Sequence, residues 1–168
     1  MKKLRVALAG NPNAGKSTIF NALTGSKQHV GNWPGKTVEK KEGIFTNGEY
    51  EIELVDLPGT YSLTAYSPEE VIARDYIINE NPDIVVTVVD AANLERNLYL
   101  TVQVLELGVP VIVVLNMADV AESRGIKIDQ IMLSRGLQSP ILSTSASKGE
   151  GIEQLTREII ALAKETIG

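Results

Sequence analysis

Eight residues, Gly10 to Ser17, constrain this chain more than any others. They read GNPNAGKS and satisfy the phosphate-loop pattern G-x-x-x-x-G-K-[ST] at every required position. An apolar run, Val6-Ala7-Leu8-Ala9, enters the loop, and an amphipathic stretch, Ser17 to Leu23, leaves it. A strand must therefore lead in and a helix must lead out. Backbone N–H groups curled ahead of a helix N-terminus attract a polyphosphate. Gly10 and Gly15 permit the turn and the close approach of backbone to ligand. Lys16 is placed to reach β- and γ-phosphates, and the Ser17 hydroxyl to bind Mg²⁺.

The rest of the chain repeats the alternation that the loop begins. Leu4 to Ala9 predicts a strand, and Lys16 to Thr24 a helix stopped by Gly25. Ser26 to Lys41 lacks periodicity and reads as a long loop, the kind that is usually functional. Ile44 to Thr46 and Tyr50 to Val55, joined at Asn47-Gly48, predict a hairpin. A helix is expected from Pro68 to about Ile78, with Glu69 and Glu70 at its positive end. Ile84 to Val89, Val109 to Leu115 and Ile141-Leu142 predict buried strands. Helical spacing links Leu94, Leu98, Val102 and Leu105, then Ile128, Ile131 and Met132, and finally Ile152, Leu155, Ile159, Ile160 and Leu162. Such a pattern implies a mostly parallel, six-stranded α/β sheet with one antiparallel edge strand and helices on both faces.

Composition narrows the class further. A chain of 168 residues, 43% hydrophobic and 22% charged, suits one soluble domain, 1–168. A net charge of −5 argues against nucleic acid bound on a broad basic face. The absence of cysteine excludes disulfides and thiolate metal sites. Val109 to Leu115 is the longest apolar stretch, far short of the ~20 residues that span a bilayer. Arg5 breaks the apolar part of anything resembling a signal peptide, so a cytoplasmic location is expected.

In a sheet of this kind, ligands bind at the carboxyl ends of the strands. Asp56 ends a strand and opens DLPG, where an acid can hold the Mg²⁺ shell and the Gly59 N–H can meet a γ-phosphate. Asn116 to Asp119 reads NMAD after another strand. A carboxylate at Asp119 accepts from guanine N1–H and its exocyclic amine, a donor pair that adenine lacks. Ser145-Ala146 follows the last strand, where backbone N–H groups can contact guanine O6.

With GNPNAGKS, Thr37, DLPG, NMAD and TSAS, the chain resembles the TRAFAC-class GTPases and their phosphate-loop G-domain fold. Within that class it is similar to the cytosolic G domain of the FeoB ferrous iron transporters, through VGNWPGKTVEKKEG from Val30 to Gly43, DLPGTYSL, IARDYI and ERNLYLT. NMAD carries Met117 where most small GTPases have Lys. The resemblance implies a GTP/GDP site made by Gly10, Asn11, Pro12, Asn13, Ala14, Gly15, Lys16, Ser17, Thr18, Asp56, Gly59, Asn116, Met117, Asp119, Ser145, Ala146 and Ser147. Lys16, Thr37, Asn13 and Gly59 would carry catalysis. Mg²⁺ would be held by Ser17, Thr37 and, through water, Asp56. K⁺, as activator, would be held by Asn13 and by the backbone carbonyls of Gly31 and Trp33. Thr60 stands where many small GTPases place a water-orienting Gln.

Other residues carry a plainer expectation. His29 reads as a solvated loop residue, Arg74 and Arg96 as surface charges, and Lys36, Lys40 and Lys41 as a solvated face. The family's helical and membrane domains are expected to be partners that lie outside this sequence, read as an excised or naturally short regulatory domain. No His, Cys or Met cluster offers a direct iron site here. The expected function is a slow, potassium-stimulated GTPase switch for ferrous iron uptake. The alternatives are an RNA-associated GTPase and a docking module that binds nucleotide without hydrolysis.

Overall fold

A computed structural model describes residues 1–166 of the chain. Strand β1 (Lys2–Gly10) leads through the phosphate loop into α1 (Lys16–Thr24). Then follow β2 (Gln28–Asn32), β3 (Glu39–Asn47), β4 (Tyr50–Asp56), α2 (Pro68–Glu80) and β5 (Ile84–Asp90). The second half holds α3 (Leu94–Glu106), β6 (Val111–Asn116), α4 (Ala118–Ser123), α5 (Gln130–Leu137), β7 (Ile141–Ser143) and α6 (Ile152–Thr166). All seven strands form one sheet in the order β2-β3-β4-β1-β5-β6-β7. β1 pairs in parallel with β4 and β5, and β6 in parallel with β5 and β7. β3 runs against both of its neighbours.

The strand interiors explain this order. β6, VIVVLN, is buried along its whole length, and β5, IVVTVVD, is buried up to Asp90. Both faces of the central sheet must therefore be covered, and the side chains divide accordingly. On one face Val6 and Leu8 join Phe20 of α1 and Leu155 and Ile159 of α6. On the other, Ala7 and Ala9 join Ile72 and Tyr76 of α2 and Leu100 and Val104 of α3. α2 starts where the sequence marks it: the Ser67 hydroxyl accepts from the Glu70 N–H, and Pro68 follows.

Six strands are expected from the sequence pattern, and the sheet has seven. The addition is β2, inside the 26–41 stretch read as a loop. Its residues, QHVGN, include one strongly apolar side chain, Val30, which is 54% exposed, so no alternation marks it. Pairing of its backbone with β3 makes it a strand. As an edge strand it has no second neighbour to bury it. β3 likewise begins at Glu39, five residues before the apolar residues that reveal it.

Candidate functional site

β1, β4, β5 and β6 all run toward the same sheet edge, and their ends deliver the polar residues singled out above. Gly15, at φ 87°, caps α1. A Cβ there would collide with Asn116 Nδ2, so the position takes glycine for both space and backbone. Lys16 and Asp56 form a buried ion pair, Nζ against Oδ1, with only 9% and 8% of each residue exposed. Burial pushes the Asp56 carboxyl above its ordinary range, while the Lys16 ammonium pulls against that shift. Ser17 and Thr18 are exposed at the start of α1.

The DLPG segment packs onto the phosphate loop. Leu57 N–H donates to Leu8 O at 3.0 Å and Thr60 N–H to Gly10 O at 3.1 Å. At Gly59, even a Cβ would sit 3.3 Å from Pro12 Cα and N, so glycine sets this approach. Thr60 is buried and turned away from solvent. Asn13 is exposed with φ 71°. Asn11 is 4% exposed, and both polar atoms of its carboxamide lack a partner among the described residues. A polar cavity of about 150 Å³ lies beside it, bordered by Pro12, Asn13, Tyr61, Asp90 and Arg96.

Asn116 ties three loops together. Its Nδ2 donates to Ala14 O at 3.0 Å. Its Oδ1 accepts from Thr144 Oγ1 at 2.8 Å and Ala146 N–H at 3.1 Å. Met117, at φ 60°, turns the chain into α4, whose first turn presents Asp119. Ser145 Oγ donates to Asp119 Oδ1 at 3.1 Å, and the Lys148 ammonium lies 3.1 Å from Oδ2. The bond from Lys148, helped by Ser145, holds the Asp119 carboxyl below its usual range. Ser147 is exposed beside them.

The structure thus assembles Gly10 to Thr18, Asp56, Gly59, Asn116, Met117, Asp119 and Ser145 to Ser147. Thr37, Gly31 and Trp33 lie apart from this group, on the β2–β3 hairpin. Gly31 pairs with Lys40 in the β2–β3 ladder, three strands from β1. The Trp33 carbonyl accepts from Lys36 N–H at 2.9 Å within the turn. The Trp33 ring is buried edge-on to Tyr76, with 5.7 Å between centroids, and the Lys40 ammonium lies 4.7 Å from its centre. Thr37 is exposed in the same turn. Burial of the indole and pairing of β2 hold the hairpin on the sheet, where it frames a cavity of about 540 Å³ against α2.

Two residues escape the sequence reading. Lys148 reaches Asp119 across a loop, and nothing in its local sequence signals this. Arg96 is exposed, as expected of a surface charge, yet its guanidinium stands 5.0 Å over the Tyr61 ring beside the phosphate loop. Arg74 does sit at the surface, next to Asp75. Among the described residues, no group of three or more His, Cys, Asp or Glu could hold a metal ion, and no helix is long and apolar enough to cross a membrane.

Residues 4–159 match the model of the family described as Ferrous iron transport protein B. The chain belongs to that family. FeoB relatives agree along almost its whole length: it is 55% identical, over 92% of its residues, to the Fe(2+) transporter FeoB of Escherichia coli K12. It spans about a fifth (21%) of that relative's length. The FeoB G-domain structure from Methanococcus jannaschii superposes with a TM-score of 0.87 at 51% identity, covering 98% of this chain and 99% of that one. The cytosolic domain of Thermotoga maritima FeoB in its GDP form II gives 0.94 at 49% identity, covering 98% and 65%. Its GMPPNP form gives 0.91 at 50%, covering 94% and 63%. The fold is that of a phosphate-loop G domain, and FeoB membership sets aside the RNA-associated alternative.

Proposed function

We propose that this chain binds GTP, hydrolyses it to GDP and phosphate, and by that cycle gates Fe²⁺ passage through the membrane part of a longer protein. The observation that carries the reading is the convergence at Asn116. One side chain fixes the phosphate loop at Ala14 and the Ala146 N–H beside the base-reading Asp119, so phosphate and guanine recognition share one rigid frame. Crystal forms of the T. maritima relative with GDP and GMPPNP support a guanine nucleotide as ligand.

The donor set fits Mg²⁺. The Ser17 hydroxyl and the Asp56 carboxylate are hard oxygens beside the loop, and phosphates complete such sites, so no acidic cluster is required. Mg²⁺ supplies charge neutralisation on the β- and γ-oxygens. With nucleotide bound, Lys16 would be free to exchange Asp56 for the phosphates, and Asp56 would help to hold the metal through water. Gly59, already against Pro12, offers its N–H to the γ-phosphate. Water attacks the γ-phosphorus in line; the bond to the bridging oxygen breaks, GDP leaves, and the water's proton passes to the phosphate. Catalysis is thus largely positional and electrostatic.

Potassium is the finer part of the proposal. Asn13 presents a neutral amide oxygen suited to a monovalent cation beside the phosphates. With GTP bound, the β2–β3 turn would leave the sheet, so that Thr37 could help to hold the γ-phosphate and Mg²⁺, and the Gly31 and Trp33 carbonyls could help to hold K⁺, which would supply positive charge beside the phosphates. Phosphate release at matched ionic strength in KCl and NaCl tests this. K⁺ should accelerate the wild type roughly tenfold, about 1.4 kcal/mol, and Asn13→Ala should remove the difference while still binding nucleotide. Equal wild-type rates would refute the potassium role. Absence of single-turnover hydrolysis would leave the docking module that binds nucleotide without cleaving it.

A further inference from the structure

Resting on the hydrolysis reading, we propose that Arg96 and Tyr61 act as one positioning unit. Together they hold the segment after DLPG on the phosphate loop and set the rate of phosphoryl transfer without contributing to nucleotide affinity. The segment is anchored at its start, where Gly59 meets Pro12 and Thr60 N–H donates to Gly10 O. From there to Pro68 it has no helix or strand of its own. Two side chains of α3 grip it. Gln103 Oε1 accepts from Leu63 N–H at 2.7 Å, and the Arg96 guanidinium stacks on Tyr61 at 5.0 Å. Seven residues apart, they project from the same face of the helix.

The two grips differ in what else supports them. Leu63 is buried and stays with or without Gln103, whereas Tyr61 is 48% exposed. The ring borders the polar 150 Å³ cavity, and the guanidinium is the group placed over its face. Among the described residues, no carboxylate lies within ion-pair distance of Arg96 to draw it elsewhere. Asp90, across the same cavity, already accepts from Ala92 N–H through one oxygen and from Asn93 Nδ2 through the other. An unneutralised guanidinium over a tyrosine face is attracted by the ring quadrupole. Tyr61 follows Thr60 directly, so a ring that wanders pulls on the Thr60–Gly10 anchor that keeps the Gly59 N–H facing the reacting phosphate. Nucleotide affinity is set by Lys16, the loop amides and Asp119, which the stack does not touch.

The experiment compares kcat, KM for GTP and Kd for GDP in Arg96→Ala, Tyr61→Ala, Tyr61→Phe and the Arg96→Ala/Tyr61→Ala double variant. Each alanine variant should lose roughly three- to tenfold in kcat, with KM and Kd within about twofold of the wild type. Tyr61→Phe, which keeps the ring, should recover most of the rate lost in Tyr61→Ala. The double variant should be no slower than the slower single one, because both remove the same contact. An unchanged kcat in Arg96→Ala, or multiplying losses in the double variant, overturns the proposal. If the wild type releases no phosphate, the hydrolysis reading fails and the claim on rate with it, while the holding of the segment by Arg96 and Tyr61 is still decided by amide hydrogen exchange over 59–63 with a non-hydrolysable GTP analogue. Faster exchange in Arg96→Ala supports the unit, and unchanged exchange overturns it.

Discussion

In the proposed function Asp119 is the residue on which choice of base turns, and its neighbours fix how it behaves with pH. The bonds from Lys148 and Ser145 favour its ionised form and hold its carboxyl below the ordinary value of 3.8. The carboxylate that guanine needs therefore persists as acid is added, and it is lost only once pH falls beneath that depressed range. The preference for GDP over ADP, in which the phosphate's own titration cancels, should stay flat in calorimetry from pH 8 down to about pH 5, roughly a unit above the midpoint of an ordinary carboxylate. Asp119→Asn should weaken GTP binding sharply, because a charge-assisted bond to the base is lost. It should also shift preference toward xanthine nucleotides, whose carbonyl can accept from the new amide. Unchanged GTP affinity in that variant would remove Asp119 from the base site.

Among the elements, the β2–β3 hairpin is the one whose place in the fold matters most to the proposed switch. It holds the chain's single tryptophan, Trp33, buried against Tyr76, whose phenol is pushed up to about 12 by burial and stays neutral. If the turn carrying Thr37 moves to the nucleotide, the indole must leave that pocket. Emission from Trp33 should shift to the red with a GTP analogue and Mg²⁺ but not with GDP, and exchange over 31–37 should differ between the two states. Identical spectra and protection in both would argue against a switch here. The same hairpin shows where sequence stops informing. GNPNAGKS, DLPG and NMAD were legible because each is a local pattern at a strand end, and β5 and β6 because both their faces are apolar. β2 is held by backbone pairing to its neighbour, which leaves no mark on QHVGN. Arg96 and Lys148 act on Tyr61 and Asp119, 35 and 29 positions away, and such distant partners have no signature in either segment.

At the scale of the whole molecule, β1, β4, β5 and β6 are built to bring loops from both halves of the sheet to one edge, with Asn116 joining them. A ligand that binds this edge only when folded stabilises everything behind it. GDP and Mg²⁺ at a hundred times Kd should add about 2.7 kcal/mol. For a domain of this size, that raises Tm by roughly 5–10 °C. Calorimetry with and without a chelator would read the shift. Lys16 and Asp56 bear on the chelator arm in particular, since each is the other's buried counter-charge. Phosphate cannot take the lysine without stranding the aspartate, unless a divalent cation arrives to claim it. Nucleotide and metal should accordingly each tighten the other's grip by the same factor, as linkage requires, on the order of 5–150-fold. In Asp56→Asn that mutual dependence should largely vanish, and GDP should bind in chelator at least as well as it does to the wild type. A wild-type GDP affinity indifferent to Mg²⁺ would mean that the pair gives way without a replacement.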